Sequence, residues 1–157
     1  MERVLGLNET FVHFLSPLDL TQLKALKEKA AYFRVVEAKG QAVAFLIAFS
    51  PNAAYESVNY SWFDDRFDDF AYIDRIVVAA SAQGQALGVK LYNDLAAFAR
   101  SHQLKQLTCE YNVKPMNEGS AKFHQRYGFK EIGQLDLENG KKRVSMQAYD
   151  LPIVGDT

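Results

Sequence analysis

The spacing of hydrophobic residues changes abruptly in the middle of the chain. Tyr72–Val78 is rich in β-branched and aromatic residues, which predicts a strand that ends at the small residues of Ala79–Ala82. Further along, apolar residues recur at helical spacing, at Leu87, Leu91, Leu95 and Phe98. The pattern therefore predicts a strand, a short connection over Gln83–Gly88 and a long amphipathic helix.

The same reasoning predicts the other elements. Strands are expected at Met1–Leu7, Tyr32–Glu37, Ala42–Phe49, Gln106–Tyr111, Phe129–Leu137 and Lys142–Tyr149, and helices at Ser16–Lys29 and Glu118–Tyr127. Lys39-Gly40 and Asn139-Gly140 are typical of tight hairpin turns, so the strands that flank each turn should be antiparallel. Ser50–Phe70 reads as a long loop. This order predicts an α+β fold, with helices packed on a mixed, mostly antiparallel sheet.

The connection Gln83–Gly88 has the features of an anion-binding turn. Its glycines let a ligand approach the backbone, and the first turn of the following helix offers N–H groups without helical partners. A nucleotide P-loop is excluded because Gly88 is followed by Val89 rather than by lysine. A dinucleotide fingerprint is excluded because the segment lacks the third spaced glycine. A pyrophosphate suits this turn, and an ordinary strand-to-helix connection is the alternative.

Two segments resemble motifs of the GNAT acetyltransferase superfamily. The acyl-CoA loop of that family reads Gln/Arg-x-x-Gly-x-Gly/Ala after a strand that ends Leu/Ile-x-Val. Here Ile76–Val78 and Gln83–Gly88 occupy those positions, with Ala86 in place of the central glycine. Asn117–Phe129 is similar to the family segment Asn-x-x-x-x-x-Phe-Tyr-x-x-x-Gly-Phe, with His124 in place of the tyrosine. The resemblance covers about residues 32–149.

The resemblance implies a single acetyltransferase domain over residues 1–157 that takes acetyl-CoA as a cosubstrate and uses no metal or redox cofactor. It implies a GNAT-type sheet in which the parallel strands Tyr72–Val78 and Gln106–Tyr111 splay apart, with the pantetheine arm between them. The coenzyme-binding residues that it implies are Ile76, Val77, Val78, Gln83, Gly84, Gln85, Ala86, Leu87, Gly88, Asn117 and His124.

Two strand residues are candidates for the general base. Strict alternation along the strand would place Tyr72, Asp74, Ile76 and Val78 on one face. In the family, a base or water-relay residue often stands at the positions of Tyr72 and Asp74. Asp74 is the expected base or water orienter, because a carboxylate beside an apolar cleft accepts a proton directly or through water. The alternative is a salt bridge between Asp74 and a structural arginine.

The expected general acid is His124. A tyrosine commonly stands at this position in the family, and a neutral histidine also donates a hydrogen bond to a departing thiolate. The alternative is a surface or capping histidine on a short helix. Tyr111 and Tyr127 are fallback donors, although Tyr127 is more typical of a residue packed among neighbouring aromatic rings.

The chemical nature of the acetyl acceptor is suggested by four acidic residues that precede the central strand: Asp64, Asp65, Asp68 and Asp69. The resemblance places this region beside the acceptor cleft, which favours a cationic amine, whereas a run of like charges is also typical of a solvated loop. Trp62 and its aromatic neighbours are expected to line a substrate or to anchor the loop. An open groove beside Trp62 would favour a peptide acceptor, and a closed pocket would favour a small molecule.

Composition excludes several classes of function. The 157 residues have a formal net charge of −1, which gives no general attraction to nucleic acid or to acidic membranes. The N-terminus has no signal-peptide pattern and no segment has the length of a membrane span, so a cytoplasmic protein is expected. Cys109 is the sole cysteine and is expected as a buried strand residue.

Together these features predict an N-acetyltransferase that moves the acetyl group of acetyl-CoA to a primary amine of a small molecule by direct attack in a ternary complex. The alternatives are a catalytically reduced acyl-CoA sensor, suggested by Ala86 and the missing tyrosine, and an enzyme that acetylates amines of proteins or peptides. Family resemblance is also compatible with a homodimer.

Overall fold

The computed structural model describes residues 20–79, 82 and 86–152. Its helices are α1 (Leu20–Lys29), α2 (Val58–Asp64), α3 (Leu87–Ser101) and α4 (Glu118–Tyr127). Its strands are β1 (Tyr32–Ala38), β2 (Gln41–Phe49), β3 (Phe70–Val78), β4 (Gln106–Lys114), β5 (Lys130–Leu137) and β6 (Lys142–Asp150). The predicted strand Met1–Leu7 and the predicted start of the first helix lie outside the described residues. Within the described part of the chain, no helix is long and apolar enough to cross a membrane.

One sheet holds all six strands, in the order β1-β2-β3-β4-β6-β5. Every neighbouring pair is antiparallel except β3 and β4, which are parallel. The predicted mixed, mostly antiparallel sheet is therefore confirmed. Both predicted hairpins are present, and their turns contain Lys39 and Gly40 at φ 53° and 75°, and Asn139 and Gly140 at φ 57° and 84°. Positive φ at consecutive residues is typical of turns whose twist matches the flanking strands.

Helices cover both faces of the sheet. On one face α3 contributes Leu91, Tyr92 and Leu95 to a buried cluster with alternate residues of β2, and Phe123 and Tyr127 of α4 pack against that cluster. On the other face α1 and α2 contribute Leu23, Tyr60 and Phe63 to a second cluster. Because β2 is covered on both sides, its sequence is a nearly continuous apolar run.

Helix α2 corrects the prediction that Ser50–Phe70 is a loop. The helix begins after Ser57, whose hydroxyl accepts a hydrogen bond from the Tyr60 N–H at 3.3 Å. Tyr60 and Phe63 are three residues apart and both point into the core, where they are 1% and 0% exposed. The seven-residue helix is too short to produce a clear periodic pattern in the sequence, which is why it was not predicted. Its cap and the packing of its two buried aromatic residues stabilise it in the fold.

A β-bulge at Asp74 changes which side chains of β3 share a face. Ile73 pairs with Ala48 and Arg75 pairs with Ile47, which leaves Asp74 as an extra residue in the ladder. Tyr72 consequently packs with the α1/α2 cluster, whereas the even-numbered residues after the bulge, Ile76 and Val78, pack with the α3/α4 cluster. The prediction that Tyr72, Asp74, Ile76 and Val78 lie on one face is therefore wrong.

Helix α3 begins at a strained residue. Ala86 precedes the helix with φ 57° and ψ 27°, the left-handed region that glycine adopts without steric cost. This is the position where the GNAT motif has its central glycine.

Replacing Ala86 by glycine should stabilise the protein. Relief of the left-handed strain exceeds the entropy that glycine adds to the unfolded chain, so we expect a net gain of up to about 1 kcal/mol and a rise in Tm of roughly 2–4 °C. The matched control is Ala97→Gly, since Ala97 is an exposed residue inside α3 and the same change there should cost about 1 kcal/mol. Thermal unfolding of the two variants would contradict the expectation if both lost stability to the same extent.

Candidate active site

A cleft of about 900 Å³ opens between β3 and β4. The two strands pair only at Phe70↔Gln106, Ala71↔Leu107 and Tyr72↔Thr108, and beyond these pairs they separate. The implied splay of the central strands is therefore present. The cleft is lined by Ile76, Val77 and Val78 along β3, by Glu110 and Tyr111 on β4, and by the start of α3.

The start of α3 forms one end of the cleft. Ala86, Leu87 and Gly88 line it, and Ala86 offers no side chain to cap the helix. The first-turn N–H groups of this 15-residue helix therefore lack a side-chain partner from their cap, as an anion site needs. Gln83, Gly84 and Gln85, the other predicted residues of this loop, lie outside the described residues.

Gly88 also has a packing role that the motif did not indicate. A Cβ atom added to Gly88 would lie 3.0 Å from the Phe123 ring, so α3 and α4 are in close contact at this point and a larger residue would displace the ring. Glycine at this position thus serves contact between the helices. Asn117 caps α4 as predicted, since its Oδ1 accepts a hydrogen bond from the Ser120 N–H at 3.1 Å.

Glu110 places a carboxyl group in the cleft just beyond the last β3–β4 pair. The Tyr72 hydroxyl lies 2.8 and 2.9 Å from its two oxygens, and the Asn59 amide donates to Oε1 at 2.8 Å. Burial and, to a smaller extent, the charge of nearby Asp74 raise the pKa of the Glu110 carboxyl to about 7, against the lowering effect of the hydrogen bonds from Tyr72 and Asn59. Glu110 is therefore poised to exchange a proton near neutral pH.

Asp74, at the bulge, supplies the second carboxyl group of the cleft. The Tyr55 hydroxyl donates to its Oδ1 at 2.7 Å, and Arg75 Nε lies 3.4 Å from its Oδ2. Burial raises the pKa of Asp74, while the bond from Tyr55 and the charge of Arg75 lower it. The alternative expected for Asp74, a salt bridge with an arginine, is present, and its role as base or water orienter stays a prediction.

Tyr72 is a neutral hydrogen-bond donor in this arrangement. It is 1% exposed, and burial raises the pKa of its hydroxyl well above the ordinary value, with the Glu110 and Asp74 charges adding to the effect. Tyr72 therefore keeps its proton and holds the Glu110 carboxylate in place. The predicted role of Tyr72 as a base or water-relay residue stays a prediction.

His124 lines the cleft on the α4 side but has both ring nitrogens engaged. Nδ1 lies 2.7 Å from the Ser120 carbonyl oxygen, which only accepts, so Nδ1 carries the hydrogen. Nε2 then accepts from the Tyr92 hydroxyl at 2.7 Å. Burial lowers the pKa of His124, which favours this neutral form. His124 thus presents no free N–H toward a sulfur, and its predicted donor role would require these bonds to change.

The acidic residues before β3 lie away from the cleft. Asp64 accepts a hydrogen bond from the Asn52 N–H at 3.0 Å, and Asp69 pairs with Lys105 at 3.7 Å. Trp62 also lies outside the cleft, because its ring packs on Gly133 and lies under the Arg66 guanidinium. Negative charge at the cleft comes instead from Asp74 and Glu110.

Sequence reasoning missed Glu110, although a signal for it was present. Glu110 is the one charged residue within the apolar segment Leu107–Tyr111, and a carboxylate in a buried strand needs a partner or a function. Cys109, its neighbour, is 2% exposed as predicted, and burial raises the pKa of its thiol well above the ordinary value. In the part of the chain that the structure describes, no three His, Cys, Asp or Glu side chains are grouped as metal ligands.

Comparisons with solved structures identify the fold. An N-acetyltransferase from Staphylococcus aureus Mu50 is 18% identical, with 96% of this chain and 92% of that chain covered and a TM-score of 0.70. A GNAT family acetyltransferase from Elizabethkingia anophelis, solved with acetyl-CoA bound, is 14% identical, with 89% and 87% covered and a TM-score of 0.64. An aminoglycoside 6'-N-acetyltransferase in complex with coenzyme A is 13% identical, with 99% and 92% covered and a TM-score of 0.72.

Sequence comparison gives the family. No curated protein matches this chain. Residues 6–129, however, match the pattern of the acetyltransferase (GNAT) family, and the splayed sheet described above is the fold of that family. The chain therefore belongs to the GNAT family of acetyltransferases and is an acyltransferase.

Proposed function

We propose that this protein transfers the acetyl group of acetyl-CoA to a primary amine of a small molecule, by direct attack in a ternary complex. The observation that carries the proposal is Glu110, a carboxyl group with a pKa of about 7 at the point where the cleft opens. A base with this pKa is partly ionised at neutral pH and accepts a proton from an attacking amine.

The cleft has the features that acetyl-CoA requires. Beyond Tyr72 the strands β3 and β4 are no longer paired with each other, so a pantetheine arm fits between them against the main chain of β3. The start of α3 offers N–H groups to the pyrophosphate, and Arg126 and Lys142 add positive charge to the lining. We infer that the main chain of Ile76–Val78 and the loop ending at Gly88 hold the coenzyme.

Acetyl-CoA supplies an activated acyl carbon, and the protein supplies position and proton transfer. We assign Glu110 as the base because its partners Tyr72 and Asn59 are neutral donors, which hold the carboxylate without neutralising it. Asp74 is instead paired with Arg75 and bonded by Tyr55. Asp74 would then orient the acceptor and favour a cationic amine, since its charge faces the same opening as Glu110.

A small-molecule acceptor is favoured by the way residues 50–64 cover the cleft. Tyr55 and Asn59 come from this one segment, and each donates a hydrogen bond to one of the two carboxyl groups. The acceptor side is therefore walled by side chains, and Trp62 does not line a groove that a peptide would occupy. An aminoglycoside 6'-N-acetyltransferase, whose name gives a small molecule as its acceptor, has a similar fold.

Calorimetry with acetyl-CoA and coenzyme A, combined with thiol release over a panel of amines, tests the proposal. The panel should contain monoamines, diamines, an aminoglycoside and short peptides with free N-termini. Amine-dependent thiol release that is fastest with a small cationic amine is the expected result. Coenzyme binding without release would contradict the transferase and favour an acyl-CoA sensor, and faster release with peptides would contradict the small acceptor.

Removing the Glu110 carboxyl should abolish most of the activity. A general base typically contributes about 10²–10⁴ to the rate, so Glu110→Gln should lower kcat by at least ~100-fold. Because the base must be ionised, kcat/KM of the wild-type protein should rise as pH increases through about 7, and this limb should disappear in the variant.

Two variants serve as references for that experiment. Glu37→Gln makes the same change at an exposed residue of β1 and should retain the wild-type rate. Asp74→Asn should reduce the rate less than Glu110→Gln. A larger loss for Asp74→Asn, with the pH limb intact in Glu110→Gln, would transfer the base role to Asp74.

The same carboxyl group should make stability depend on pH. Its pKa is raised from 4.5 in the unfolded chain to about 7 in the folded protein, so the folded state binds more protons between these values and stability falls as pH rises through them. Above pH ~7 the ionised Glu110 carboxylate lowers the free energy of unfolding by its full amount, about 3 kcal/mol at most. Urea unfolding should therefore find Glu110→Gln more stable than the wild-type protein at pH 8, with the difference shrinking by pH 5. A difference independent of pH would contradict the raised pKa.

A further inference from the structure

Two buried side chains and one exposed carboxylate form a hydrogen-bonded chain behind Tyr111. The Ser145 hydroxyl donates to the Glu131 carboxylate at 2.5 Å. Gln147 Nε2 lies 2.6 Å from the Ser145 oxygen and 3.2 Å from the Tyr111 oxygen. Ser145 and Gln147 are 0% and 3% exposed, so water does not replace the contact between them.

The chemistry of these groups fixes the direction of every bond in the chain. Ser145 has a single hydrogen, which goes to the Glu131 carboxylate, so its oxygen accepts a hydrogen from the Gln147 amide. The second amide hydrogen of Gln147 then goes to the Tyr111 oxygen. Tyr111 is an acceptor in this bond and keeps its own hydrogen for another partner. Among the described residues, no acceptor takes that hydrogen.

Tyr111 lies in the cleft on the face of the sheet opposite to Glu110. It follows Glu110 on β4, so the alternation of a strand directs the two side chains to opposite faces of the sheet. Glu110 meets Tyr72 and Asn59 on the α2 side, whereas the Tyr111 ring stacks on His124 of α4, with ring centroids 5.7 Å apart and planes at 27°. Both Tyr111 and Glu110 line the cleft.

We propose that Tyr111 protonates the coenzyme A thiolate as it departs, with Gln147 as the positioning residue; this inference rests on the proposed function. As the C–N bond to the amine forms, the C–S bond breaks and its electron pair stays on sulfur. The Tyr111 hydroxyl gives its proton to that sulfur. The phenolate that remains is stabilised by the Gln147 N–H and regains a proton from solvent, while Glu110 holds the proton taken from the amine.

The proposal accounts for the histidine at the position of the family tyrosine. His124 uses both nitrogens within α4 and toward Tyr92, so it supports the ring of Tyr111 and leaves the donor role to that residue. The phenol is thus supplied from β4 in place of α4.

Tyr111→Phe tests the proposal directly, because it removes the hydroxyl and keeps the ring on His124. We expect kcat for acetyl transfer to fall by about 10–100-fold, at the low end for general acids because a thiolate leaves readily. The KM for acetyl-CoA and the Kd for coenzyme A, measured by calorimetry, should not change. Tyr127→Phe is the matched control, since its hydroxyl donates to Asn93 outside the cleft, and it should retain the wild-type rate within twofold.

Gln147→Met provides a second test that leaves Tyr111 in place. Loss of the amide donor should lower kcat by about 3–10-fold, less than loss of the acid itself, with coenzyme binding again unchanged. Thermal unfolding monitored by circular dichroism shows whether each variant is folded. If folded Tyr111→Phe and Gln147→Met both match Tyr127→Phe in kcat, the donor role is wrong. No amine-dependent thiol release from the wild-type protein would instead overturn the proposed function and the donor role together.

Discussion

The short pairing between β3 and β4 is the constraint on which the rest of the structure depends. Only three residue pairs join the two halves of the sheet before the strands part. Each strand stays anchored on its other side, β3 by β2 and β4 by β6, so the separation creates a cleft without loosening either half. The cleft that results is bounded by the main chain of two extended strands, and an extended ligand is the shape that fits between them. The bulge at Asp74 helps to set this geometry, because a bulge bends a strand and increases its twist.

The opening between the strands also determines the electrostatics. Asp74 and Glu110 stand on the two separating strands, and each charge makes ionisation of a neighbouring acidic group harder. The fold compensates with donors from one segment, Tyr55 for Asp74 and Asn59 for Glu110. A pKa near 7 is the result of incomplete compensation, and it costs stability at neutral pH for the sake of a group that exchanges protons there.

Sequence patterns were sufficient for elements whose signals are local. The two hairpins depend on Lys39-Gly40 and Asn139-Gly140, and α3 depends on a helical apolar stripe, so each was predicted and is present. The bulge at Asp74 was not predictable, because alternation is a local rule and the extra residue is fixed by pairing with β2. Glu110 was missed for a related reason: its partners Tyr72 and Asn59 are distant in sequence, and only the fold brings them to one carboxyl group.

Residue type at a motif position proved less informative than the hydrogen bonds around it. His124 stands where the resemblance expects a tyrosine donor, yet the Ser120 carbonyl and the Tyr92 hydroxyl fix its tautomer and occupy both nitrogens. Tyr111 on β4 is in the opposite situation: its oxygen accepts a hydrogen from the Gln147 amide, so its own hydroxyl hydrogen is not used in that bond. The His124 network therefore uses its hydrogens within the protein, while the Tyr111 network leaves a hydroxyl hydrogen at the cleft with no acceptor among the residues that the structure describes. The direction of hydrogen bonds, which sequence does not encode locally, decides which of two adjacent rings is able to give up a proton.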